Sequence, residues 1–71
     1  MDEDTRELVR GLFVAITAII EDAHEAAVDG QTASLDVVAA QAASAALVES
    51  ARRIGTLAGA IAAITGQDDS G

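Results

Sequence analysis

Glu21 and His24 are the one pair of side chains in this sequence arranged as metal ligands often are. They stand three apart in Glu-Asp-Ala-His, so a helix sets them one turn from each other on the same side. A carboxylate and an imidazole in that relation are two ligands for a divalent cation. A working centre needs more donors. The chain has no Cys and a single His, so the others would all have to be carboxylates. The same shortage limits catalysis. General acid–base or nucleophilic chemistry needs a partnered base, and neither His24 nor Ser50 has an indicated partner. Ser50 reads instead as a small seam residue bonded back to a carbonyl one turn earlier. No Gly-rich phosphate loop is present.

On a helix, Glu-x-x-His resembles the ligand presentation of ferritin-like di-metal carboxylate proteins. The resemblance implies further carboxylates on the facing helices. The facing height here carries Gln41, Ala42, Ala45 and Val48, and Glu21 and His24 fall at the edge of the apolar face. The expectation is therefore a non-enzymatic chain with no catalytic residue, cofactor or metal. A di-metal bundle using Glu21 and His24 is the alternative.

The element that would position any of these residues is Asp36–Ile64, read as one long helix. Ala40, Leu47, Ile54 and Ile61 form one row, and Ala43, Ser50, Leu57 and Ile64 form the next, an a/d seam over four heptads. Ala39, Ala46, Arg53 and Ala60 flank it on one side, and Ser44, Ala51, Ala58 and Thr65 on the other. Small flanks widen the apolar stripe, which suits a bundle better than a two-stranded coil. Ala51, Gly55, Gly59 and Ala63 line a further strip at intervals of four. A Gly inside a helix costs about 1 kcal/mol relative to Ala, so the Gly-x-x-x-Gly calls for a use. The reading preferred is a close helix crossing within a water-soluble protein. A membrane dimer motif is the rival, but the apolar run from Ile54 to Thr65 falls short of the roughly 20 residues that span a bilayer.

The first helix begins within residues 2–5, with Asp4 and Glu7 as a capping box. Leu8, Val9, Leu12, Phe13, Ile16, Ile19, Ile20, Ala23 and Ala27 make one broad apolar face, and Val14 and Ala18 fall opposite. Gly30 serves as a left-handed cap. A short turn then makes the helices antiparallel, with Ser34 capping the second. The expected bounds are a helix over about 4–29, a turn over 30–34, a helix over about 35–65 and a polar tail over 66–71, all in a single domain.

Folding about that turn pairs residues whose numbers sum to about 65, given equal rise per residue. The Ala-rich turn end is then thin, and the bulky residues collect at the open end. Arg6, Arg10, Arg52 and Arg53 come to similar heights, with Glu49 four before Arg53. They read as solvated charges, with an anion or protein-binding cluster as the alternative.

Composition bounds the partners. The net charge is -8, with four Arg and no Lys, so nucleic acid and anionic membranes are disfavoured. The acidic start lacks the basic region of a signal peptide, which makes cytoplasmic the default location. A 71-residue chain without Cys, Trp or Tyr has few ways to stabilise itself except by association. The fold expected is an all-α antiparallel hairpin dimerising into a four-helix bundle. Its oligomer interface is assigned to Leu12, Phe13, Ile16, Leu47, Ile54, Gly55, Leu57, Gly59, Ile61 and Ile64. A dimer or a tetramer fits, and a further protein partner is possible. The function expected is that of a protein-interaction or regulatory module. A membrane-active segment over 54–66 is a third class.

Overall fold

The computed structural model describes residues 1–69. Two helices, α1 (Glu3–Asp29) and α2 (Val37–Asp69), fold back on each other as a hairpin, with no strand among the described residues. The all-α hairpin read from periodicity is what forms. Long helices follow from an Ala-rich chain without Pro.

α1 starts within residues 2–5 and ends at Asp29 as expected, but the caps and the bounds of α2 differ from the sequence reading, each for a local reason. Asp2, not Asp4, caps α1: its carboxylate accepts the Thr5 N–H at 2.7 Å from an extended backbone. That leaves Glu3 and Asp4 in the first turn, where the helix dipole favours negative charge. Asp36, not Ser34, caps α2, accepting the Ala39 N–H at 2.8 Å. Ser34 instead lies 3.4 Å from the Thr32 hydroxyl in the connection. Gly30 is not left-handed. It sits at φ -70°, ψ -8°, because the last carbonyls of α1 are met without a reversal. The Gly30 N–H donates to Ala26 O, the Gln31 N–H to Val28 O, and the Gln31 side-chain amide to Ala27 O. The connection thus runs over 30–36 rather than 30–34.

That longer connection shifts the register. A Cβ built on Gly30 would lie 3.8 Å from the Cβ of Ala43, whereas the expected pairing set Gly30 against Leu35. The chain travels past the end of α1 before turning, so the first turn of α2 overhangs, with Val37 and Val38 well exposed. The displacement is about two helical turns. It also explains the far end. The start of α1 now stands beside the residues that follow Ile61, and α2 continues through Gly66 to Asp69 instead of ending at Thr65. The remainder of the expected polar tail, Ser70 and Gly71, lies outside the described residues.

The seam itself is as the heptads predict. Ala40, Ala43, Leu47, Ser50, Ile54, Leu57, Ile61 and Ile64 are all half-buried or buried. On α1 the matching row is Thr5, Val9, Leu12, Ile16, Ile19, Ala23, Ala26 and Gly30, again alternating by four and three. The broad α1 face is narrower than its composition suggested. Leu8, Phe13, Ile20 and Ala27 sit beside the seam, exposed.

Among the described residues, Val9, Ile19 and Ile61 are buried, at 7%, 5% and 9% exposure, and no large side chain is fully enclosed. The hairpin measures 54 × 16 × 11 Å with a radius of gyration of 16.3 Å. A compact chain of this length would have a radius of about 11 Å. Its surface is 5054 Å². A globular monomer of this mass exposes about 4,100 Å². The excess is apolar in good part, because Phe13, Val14, Ile20 and Val48 are each more than half exposed.

Candidate functional site

The seam divides the surface of the hairpin into two flanks of different character. One is charged. There Ala15, Ala18, Ile19 and Asp22 of α1 line an open hollow with Arg52, Arg53, Thr56 and Leu57 of α2. Arg52 is engaged with Glu49 through two N–H donors, one at 3.0 Å. This bond holds the Glu49 carboxyl below the usual range and raises the Arg52 guanidinium. The Glu49 pairing predicted for Arg53 is made by Arg52, one residue earlier on the helix.

The register shift also separates the arginines. Arg52 and Arg53 stand at the height of Ala18 and Ile19, while Arg6 and Arg10 lie near the open end. Arg6 has Glu3 at 3.9 Å and donates to Met1 O. The common height expected for all four is therefore not found, and with it goes the geometry for one anion site.

The other flank is smooth. On α1 it carries Phe13, Ile20 and Ala27 at intervals of seven, with Thr17 and His24 beyond them. On α2 it carries Ser44, Val48, Ala51, Gly55, Ala58 and Ala62, alternating by four and three. Ala27 and Ser44 share a hollow with Ala40, Ala43 and Leu47, which sets the two helices' contributions side by side. From Arg6 to Thr65 the helix carboxylates Glu7, Asp22, Glu25, Asp29 and Glu49 point away from this flank, and Glu21 borders its outer edge, one turn from His24.

The residues assigned to an oligomer interface divide between the inner seam and the open surface. Leu12, Ile16, Leu47, Ile54, Leu57, Ile61 and Ile64 line the α1–α2 seam, half-buried or buried within the hairpin. Phe13 stands 54% exposed on the smooth flank. A Cβ added at Gly55 or Gly59 would meet nothing within 4 Å. The close crossing expected of these glycines is thus not made with α1. Val48, at 68% exposure, and Ile20, at 52%, belong to the same open surface and were missed as interface candidates. Val48 carried a signal, its place between Ser44 and Ala51 in a second four-and-three alternation.

Glu21 and His24 are both exposed on α1. Among the described residues no group of three or more His, Asp or Glu side chains is placed to hold a metal. Ser50 lies in the seam as expected, but the back-bonding foreseen for it is made by threonines: Thr17 to Phe13 O, Thr56 to Arg52 O and Thr65 to Ile61 O. Among the described residues, no helix is long and apolar enough to cross a membrane.

Comparison with protein-family models, with curated proteins and with solved structures finds no match to this chain.

Proposed function

We propose that the chain is a non-enzymatic helical module that self-associates through its apolar flank and works by presenting its acidic outer faces to another protein. The observation that carries this reading is the uncovered apolar surface. Phe13, Ile20 and Val48 are each more than half exposed, while the buried core among the described residues is Val9, Ile19 and Ile61. Burying apolar area contributes ~25 cal/mol per Å², so a second layer of helices on this flank supplies what the seam alone lacks. Two hairpins joined in this way make a four-helix bundle, a closed arrangement with two-fold symmetry. The charge distribution supports the same reading. In a chain with net charge -8, the helix acids Glu7, Asp22, Glu25, Asp29 and Glu49 lie off the flank to be covered, on the faces left in solvent.

Thermal unfolding followed by helicity at several protein concentrations tests the reading. An associating chain melts at a temperature that rises with concentration, because binding between folded copies stabilises them by mass action. A melting temperature that stays constant across a hundredfold range of concentration contradicts it.

A further inference from the structure

Resting on that reading, we infer that the second copy docks antiparallel on the smooth flank, α2 against α2, about a two-fold axis crossing the helix at Ala51–Arg52. Three independent features select this arrangement.

The first is shape. Between Ser44 and Ala62, Val48 is the one bulky side chain in the α2 part of this flank, and it projects into solvent. Gly55, seven residues on, offers open space at the same face. The midpoint between them is Ala51–Arg52. A two-fold axis there sets each copy's Val48 over the other's Gly55, so both knobs are filled by one symmetry operation. Small residues between them let the two backbones approach closely.

The second is charge. Between Val37 and Thr65 the one α2 carboxylate is Glu49, held by Arg52 on the charged flank, so the two copies of α2 meet without opposing acids. The arginines at the open end of the smooth flank, Arg10 and the Glu3-paired Arg6, fix the direction. A parallel pairing would bring these cations together. The antiparallel pairing sends them to opposite ends of the assembly.

The third is area. The surface in excess of a globular monomer, about 1,000 Å² per chain, is close to the ~800 Å² per partner that a standard interface removes.

A chain without cysteine allows a direct test with single substitutions in the full-length protein. Wild type is first weighed in solution, then Ala51→Cys, Val48→Cys and Gly55→Cys are oxidised. Ala18→Cys on the charged flank is the control. In the proposed dimer, Ala51→Cys forms an inter-chain disulfide. Val48→Cys alone does not, because its partner copy lies about 10 Å away along the axis, beyond the ~7 Å reach of a disulfide. An equimolar mixture of Val48→Cys and Gly55→Cys does cross-link. An associated wild type that bridges at Val48→Cys alone overturns the antiparallel direction. One that bridges only at Ala18→Cys, or at no position, overturns the choice of flank. A monomeric wild type overturns self-association itself and this arrangement with it.

Discussion

Gly30 and Ala43 face each other across the hairpin, and a Cβ built on the glycine would lie 3.8 Å from that of the alanine. This relation fixes the register, and it also sets a sharp prediction. Gly30 occupies right-handed space, and a Cβ added there would keep ordinary contact distances of 3.5 Å and 3.6 Å to the Ala27 and Ala26 carbonyls. Gly30→Ala is therefore expected to stabilise the protein by about 0.4–1 kcal/mol, by reducing the freedom of the unfolded chain. A left-handed cap would give the opposite sign. Denaturant unfolding of the two proteins decides it.

The cap of α2 gives a second contrast. Asp36→Ala removes the acceptor for the Ala39 N–H and should cost about 1 kcal/mol. Ser34→Ala touches only the Thr32 hydroxyl in the connection and should leave the melting temperature unchanged. Equal effects from the two substitutions would return the cap to Ser34.

A third prediction concerns acid. Arg52 holds the Glu49 carboxyl below its usual value, and the Thr5 N–H does the same for Asp2. A depressed folded pKa gives stability that is present above the unfolded value and lost as pH falls through the folded one. Both contributions are in place at neutral pH, begin to fade as the pH falls below about 4, and are gone once it is below the folded pKa of each group. Both groups are exposed, so each effect is small. Glu49→Gln should melt slightly below wild type at pH 7 and together with it at pH 2, as read by helicity against temperature.

Phe13 separates a lone hairpin from an associated one. It is 54% exposed in the single chain, so truncating it there would matter little. In the assembly proposed here it is covered, and Phe13→Ala should lower the concentration-dependent melting temperature and weaken association at least tenfold. Val14→Ala, at an exposed position on the face of α1 turned away from the seam, serves as the control and should change neither.

How much of this was legible in the sequence depends on the range of the signal. The α2 seam could be read residue by residue, from Ala40 to Ile64, because a heptad pattern is local and repeated four times. The α1 seam was read too broadly. Leu8, Phe13 and Ile20 are as apolar as Leu12 and Ile16, and periodicity alone does not say which rows face the partner helix within the chain. The register was wrong by about two turns because it hung on one short connection, where Asp36 outcompeted Ser34 as the cap. That single shift dispersed the predicted cluster of Arg6, Arg10, Arg52 and Arg53. Gly55 and Gly59 announced a close approach, but the sequence does not distinguish α1 from a second copy as the helix that approaches.

Self-association is the claim on which the function proposed here stands. Light scattering coupled to size exclusion, on wild type and on Gly55→Leu at micromolar concentration, tests it most directly. The expected result is a wild-type mass twice that of the 7.1 kDa chain and a smaller species for the leucine variant, whose side chain fills the space meant for Val48. A fully helical wild type of 7.1 kDa would contradict it.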